Sequence, residues 1–152
     1  MKRRRNEKGF TLLEIVCVLA IIGLLAALVL PAIPRQTSRA RLEAYAVETA
    51  ALLKADRNAA IRRGMPVATE LSLAARTIRS RASGKFVRVP QDVGFDAVLA
   101  SICAGHAAGT TIDFFPSGMS CGGTIVLSRL GTRFEIRVGW LTGGVEIVAA
   151  AT

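Results

Sequence analysis

Residues 15–33 contain no charged side chain, and extending the stretch back to Phe10 gives 24 residues in which Glu14 is the sole charge. As a helix this is roughly 36 Å long, enough to cross a bilayer core of about 30 Å. The rest of the chain, residues 35–152, suffices for one small globular domain with one core, and no second domain is expected.

A secretory signal peptide has a shorter apolar core followed by a small-residue cleavage site, and then the pattern breaks. Here the apolar core is longer, no A-x-A site follows it, and the chain runs on into a helical pattern. On composition alone the segment is an uncleaved anchor. Five basic residues (Lys2, Arg3, Arg4, Arg5, Lys8) precede it, which favours a cytoplasmic N-terminus; Arg35, Arg39 and Arg41 just after it weaken that signal.

The net charge of +9 is unevenly placed: residues 35–88 carry twelve basic against four acidic groups, and residues 89–152 three against five. Glu14 is the anomaly. A carboxylate costs on the order of 2.5 to 3.5 kcal/mol at a bilayer centre and less near an interface, so within the span it needs a cation or hydrogen-bond donors. The alternative is a carboxylate near enough to the interface to stay hydrated.

The run Gly9-Phe10-Thr11-Leu12-Leu13-Glu14 resembles the processing site of type IV prepilins and type II secretion pseudopilins. The resemblance implies that a membrane prepilin peptidase cuts between Gly9 and Phe10 and methylates the new N-terminus at Phe10. Glu14 and Pro31 then fall at the fifth and twenty-second mature positions, in the family's register. It also supplies the missing partner: cleavage creates an amine at Phe10, and a carboxylate among packed helices is stabilised by such a cation from a neighbouring subunit. Glu14 is thereby assigned to filament assembly. Gly23 and Ala27, one turn apart, are small enough for close helix approach.

Pro31 and Pro34 each remove an amide donor and should bend the helix. Beyond them Leu42, Tyr45, Ala46, Thr49, Leu53, Ala60 and Ile61 recur at helical spacing, and Gly64 and Pro66 provide a stop. The pattern predicts one long helix over residues 10–63. It then shortens to strand period at 67–73, 77–79, 86–89, 111–115, 124–128, 134–140 and 145–148. Phe134-Glu135-Ile136-Arg137-Val138 alternates as a half-buried strand does, and Gly143-Gly144 reads as a hairpin turn. The expected fold is α+β and type IV pilin-like: a long N-terminal helix, half membrane-spanning and half amphipathic, packed on an antiparallel β-sheet or β-sandwich. The implied divisions are a cleaved leader at 1–9, a transmembrane and filament-core helix at 10–34, its amphipathic continuation at 35–63, and a periplasmic β-rich domain at 64–152.

The segment Phe115-Pro116-Ser117-Gly118-Met119-Ser120-Cys121-Gly122-Gly123-Thr124-Ile125, followed by Trp140-Leu141-Thr142-Gly143, resembles the H-type minor pseudopilins and their FimT relatives. Many secretion-system members carry aspartate where Ser117 stands. Physically, Pro116, Gly118, Gly122 and Gly123 make this a structured connector between two strands. Cys17 reads as a small buried hydrophobe within the apolar run. Cys103 and Cys121 lie beyond the membrane, where an oxidising compartment permits a disulfide; the alternative is two unpaired core thiols. With no C-x-x-C pair and no histidine set nearby, zinc is not expected, nor is any other metal or cofactor.

Gly118-Met119-Ser120-Cys121-Gly122 also fits the G-x-S-x-G pattern of hydrolases, but a strand follows it, not a helix, and the single histidine, His106, lies upstream. Enzymatic activity is not expected. The basic residues Arg62, Arg63, Arg76, Arg79, Arg81, Lys85 and Arg88 raise phosphate-backbone binding, which some FimT-type pilins perform, against a solvated face or one meeting anionic lipid or an acidic subunit. Only Tyr45 and Phe86 are near enough to add stacking.

The resemblance therefore implies a minor pseudopilin of a type II secretion system, a single-pass bacterial inner-membrane subunit. Its N-terminus is cytoplasmic before processing and its C-terminal domain periplasmic, with a place near the pseudopilus tip. Its expected partners are other minor pseudopilins, the major pseudopilin, the prepilin peptidase and membrane lipid. The alternative is a FimT-like type IV minor pilin concerned with pilus priming or DNA uptake, and only that reading brings in DNA.

Overall fold

The computed structural model of this chain describes residues 11–29 and 37–151, with side chains over 11–26 and 37–150. Residues 1–36 and 37–152 form two separate compact units, and the described part of the first is one helix, α1 (Leu12–Val29). The expected bend at Pro31 and Pro34 lies outside the described residues, as do Gly9 and Phe10.

The second unit opens with α2 (Arg39–Arg63). Ser38 has an extended backbone and its Oγ accepts the Arg41 amide hydrogen, so it is an N-cap. Helix α2 therefore starts afresh at Arg39, and the expectation of one unbroken helix over 10–63 fails at residue 38. A hydroxyl that satisfies an otherwise orphaned amide favours a new start there over continuation. At the other end Gly64 adopts the left-handed conformation (φ 63°) that closes a helix.

Leu42, Ala46, Thr49, Ala50, Leu53, Asp56, Ala59 and Ala60 form the buried stripe of α2. Two assignments change: Tyr45 is only partly buried and Ile61 is exposed, while the acidic Asp56 occupies the core face.

Among the described residues ten strands follow: β1 (Val67–Ser72), β2 (Thr77–Ser80), β3 (Phe86–Arg88), β4 (Gly94–Leu99), β5 (Ile102–Cys103), β6 (His106–Ala107), β7 (Thr111–Phe114), β8 (Gly123–Arg129), β9 (Thr132–Val138) and β10 (Val145–Ala151). They build two antiparallel four-stranded sheets, ordered β3-β2-β1-β7 and β10-β9-β8-β4, with β5 and β6 as a separate hairpin. Helix α2 packs on strands of both sheets. Leu42 and Leu53 of α2, Ile78 and Ile112 of the first sheet, and Ile125, Leu127 and Ile136 of the second are all fully buried. Each such side chain contributes about 1.5 to 3 kcal/mol relative to exposure.

On β9, Phe134, Ile136 and Val138 are buried while Arg137 is exposed, the alternation its sequence implies. That strand ends at Val138, not Trp140, because Gly139 and Gly144 close a loop in which the Gly139 amide donates to the Gly144 carbonyl at 2.9 Å. Strands β4, β5 and β6 are additions to the expected set. In β4, Asp96 and Val98 face solvent and Phe95 alone is fully inward, which blurs the hydrophobic alternation.

Candidate functional site

Thr11 caps α1: the Glu14 amide donates to Thr11 Oγ1 at 3.3 Å and to the Thr11 carbonyl at 3.0 Å. Glu14 thus stands in the first helical turn, where its negative charge opposes the positive end of the helix dipole. Thr11-x-x-Glu14 has the form of a capping box, a signal present in the sequence beside the processing motif. The rest of α1 is apolar on every side. Leu12, Leu19 and Leu24 are 83%, 63% and 67% exposed, and Cys17 is exposed with them. A helix apolar all round is buried only by lipid or by other helices. Among the described residues no helix is long and apolar enough to cross a membrane.

In the second unit the two halves of the distal motif meet on α2. Arg57 Nε donates to the carbonyl oxygens of Gly118 and Thr142, each at 3.1 Å. Gly118 has φ 85° and its amide donates to the Phe115 carbonyl at 2.9 Å, so Phe115, Pro116, Ser117 and Gly118 form a tight turn. At Gly122 and Gly123 (φ 71° and 154°) an added Cβ would lie 3.3 Å from the Trp140 Cβ and 3.0 Å from Leu99. The connector is thereby pressed against both the 139–144 loop and β4. Trp140 and Leu141 project from that loop, 65% and 59% exposed.

Ser120 is buried, donates its hydroxyl hydrogen to the Gly139 carbonyl at 3.1 Å, and accepts the Gly122 amide hydrogen at 3.0 Å. Its hydroxyl fastens the two loops together. His106, exposed on β6, has Nδ1 3.0 Å from the Ala104 carbonyl.

Cys103 and Cys121 are joined by a disulfide. Their sulfur atoms and a carboxylate oxygen of Asp113 lie within 4.8 Å of one another.

Of the seven basic residues, Arg62, Arg63, Arg79, Arg81, Lys85 and Arg88 are exposed and Arg76 is half-buried. Arg76, at φ 53°, turns inward: its guanidinium donates to the carbonyls of Val89, Pro90 and Val93 and lies over the Phe95 ring. Arg63 donates to the Ala82 carbonyl, and Arg81 pairs with Glu70 at 3.6 Å. Arg79 and Arg88 are exposed beside Phe86 on β2 and β3. On the second sheet Arg137, followed by Arg133, holds the Glu135 carboxyl below the usual carboxylate range.

Two further polar links escaped sequence reasoning. Asp56, 1% exposed, accepts hydroxyl hydrogens from Thr69 Oγ1 at 2.7 Å and from Ser80, tying α2 to β1 and β2. Asp92 accepts from the Thr37 amide at 2.8 Å and from the Thr37 hydroxyl at 3.1 Å, and pairs with Arg129.

Residues 4–30 match the family profile of the prokaryotic N-terminal methylation motif. Over 143 residues, 94% of this chain and 84% of the relative, the sequence is 30% identical to type II secretion system protein H of Xanthomonas campestris pv. campestris. The fold is shared with the minor pseudopilin EpsH of the Vibrio cholerae type 2 secretion system, at a TM-score of 0.55 and 12% identity over 70% of this chain and 95% of that one. It is shared too with the type IV minor pilin FimU of Pseudomonas aeruginosa, at 0.51 and 14% over 74% and 91%. An α+β pilin fold behind a methylation motif, with this identity along nearly the whole chain, places the protein in the type II secretion system protein H family, the H-type minor pseudopilins.

Proposed function

We propose that this chain is a structural subunit near the tip of the periplasmic pseudopilus, and that it works by assembling with other pseudopilins and not by catalysis. It is stored in the inner membrane through the apolar segment 10–34, of which α1 is the described part, with its β-rich domain in the periplasm. Prepilin peptidase removes residues 1–9 after Gly9, and the amine of Phe10 is then methylated. Glu14 pairs with the Phe10 amine of a neighbouring subunit as the helices enter the filament core, and Pro31 and Pro34 let the helix bend there. The sheet domain meets the subunits above and below, joining the tip subunits to the major-pseudopilin shaft.

The observation that supports this most is the placement of Glu14. It is the single charge among residues 10–33, and it stands in the first turn of a helix whose other faces are all apolar. Continued through the uncharged residues to Ile33, such a segment serves equally as a membrane anchor and as one member of a helical core. The intact mass of the mature protein tests the processing step. The expected mass is that of residues 10–152 plus one methyl group, and a mass that retains residues 1–9 refutes the reading.

A further inference from the structure

The β8–β9 connection is a two-residue hairpin: Arg129 pairs with Thr132, and Leu130 and Gly131 form the tip, both at positive φ (46° and 74°). Glycine and asparagine fill such a turn readily. Leucine is disfavoured there, because its Cβ crowds its own backbone. Leu130 nevertheless projects into water, 85% exposed. An exposed leucine alone is ordinary. One kept in a strained turn, where it gains almost no burial, is not explained by the packing of this chain.

The tip is fixed beside the point where the chain enters the domain. Asp92 pairs with Arg129, the residue before Leu130, and accepts hydrogen bonds from the Thr37 amide and hydroxyl. Leu130, Thr37, Arg39 and Leu42 line one cleft. Arg39 and Arg41 are exposed in the first turn of α2, where the helix dipole disfavours cations; Glu43 stands one turn beyond Arg39. In sequence, only Pro34, Arg35 and Gln36 separate Thr37 from Ile33, the last residue of the uncharged run. From Ile33 to Thr37 the chain reaches at most roughly 14 Å, and a headgroup layer is about 5 to 7 Å deep. With residues 10–34 in the bilayer, the Thr37 end of the domain, which carries Leu130, is therefore the end tethered at the lipid surface.

We infer that Leu130 inserts into the periplasmic face of the bilayer that holds the subunit's own anchor, with Arg39 and Arg41 on the phosphates of anionic lipid. The inference rests on the anchor reading given above. The leucine is buried among the upper acyl carbons and the arginines stay in the headgroup layer, as the apolar and basic groups of interfacial anchors do. The contact holds the domain in one orientation before assembly, and Leu130 leaves the lipid when the subunit is drawn into the filament.

Trp140 is the sole tryptophan and lies past the far end of β9, which runs from Thr132 to Val138, about 20 Å, so it serves as a control. The full chain is reconstituted in vesicles of phosphatidylglycerol and a phosphatidylcholine brominated near the headgroup end of its acyl chains. Leu130→Trp combined with Trp140→Phe should lose most of its emission to the bromines, while Trp140 of the parent chain keeps its own. Replacing phosphatidylglycerol with phosphatidylcholine, or adding Arg39→Gln and Arg41→Gln, should weaken the quenching. Flotation of the vesicles reports the anchor separately. A chain that does not float overturns the anchor reading and this inference with it. A floating chain whose position 130 is quenched no more than Trp140 overturns the inference alone. So does an emission shielded from water but untouched by the bromines, which means that a second copy covers Leu130. Quenching indifferent to both the anionic lipid and the arginines overturns it as well. Should circular dichroism show the tryptophan variant misfolded, Leu130→Cys with Cys17→Ser, carrying an environment-sensitive dye, decides the matter: a blue shift in the anionic vesicles is expected, and its absence overturns the inference.

Discussion

Gly143 lies so close to Arg57 that a Cβ on it would stand 2.9 Å from the guanidinium Nε and 2.2 Å from the Gly118 carbonyl oxygen. Its bare Cα and positive φ of 59° let the two loops of the distal motif close around one arginine of α2. The motif is thus a packing device that fixes where Trp140 and Leu141 are displayed.

Gly143→Ala combines a left-handed backbone that disfavours a side chain by about 1 to 2 kcal/mol with a direct clash against backbone. A loss of about 2 to 4 kcal/mol in chemical denaturation is expected. Arg57→Ala, which leaves two carbonyls to water, should cost less, about 1 to 2 kcal/mol.

Asp56→Ala strands the Thr69 hydroxyl in the core beside a cavity and takes away the acceptor of the Ser80 hydroxyl, whose oxygen keeps its bonds from Ser83. Unsatisfied buried groups cost about 1 to 3 kcal/mol each, so a drop of about 2 to 5 kcal/mol is expected. Asp56→Asn keeps an acceptor of the same shape and should lose clearly less in the same denaturation series.

Glu135 titrates lower in the folded chain than in the unfolded one because Arg137 and Arg133 favour its charged form. Its contribution to stability is therefore fully present above the ordinary carboxylate range and is lost as pH falls through the depressed folded value. Denaturation midpoints measured from neutral to strongly acidic pH should fall less steeply for Glu135→Gln than for the parent chain.

The disulfide spans 18 residues, for which loop-closure entropy gives a stabilisation of about 3 kcal/mol. Cys103→Ser should lower unfolding free energy by about that amount, and adding a reductant to the variant should change it no further.

Helical and strand periods carried most of this fold: the stripe on α2, the stop at Gly64, and β1, β2, β3, β7, β8, β9 and β10 all follow from local patterning and turn chemistry. The failures have physical causes. Strand β4 offers little alternation because Asp96 and Val98 both face water. Nothing local marks Asp56 as buried, because its partners Thr69 and Ser80 are brought to it by the sheet. Arg76 counts as a surface cation in the sequence, yet carbonyls of the 89–93 segment enclose it. The same holds for the distal motif and the disulfide. Arg57 is 61 residues from Gly118 and 85 from Thr142, and Cys103 is 18 from Cys121, so only the chain's return path joins them.

The central claim is that Glu14 is kept in an apolar helix because a neighbour's freed amine meets it. Incorporation of Glu14→Leu into pseudopili beside the wild-type subunit, scored by immunoblot of sheared filaments with membrane insertion and leader removal checked in parallel, tests it most directly. Normal insertion and cleavage with incorporation reduced at least about tenfold, the factor corresponding to a lost interaction of about 1.4 kcal/mol, is the predicted result. Incorporation equal to that of the wild-type subunit would contradict it.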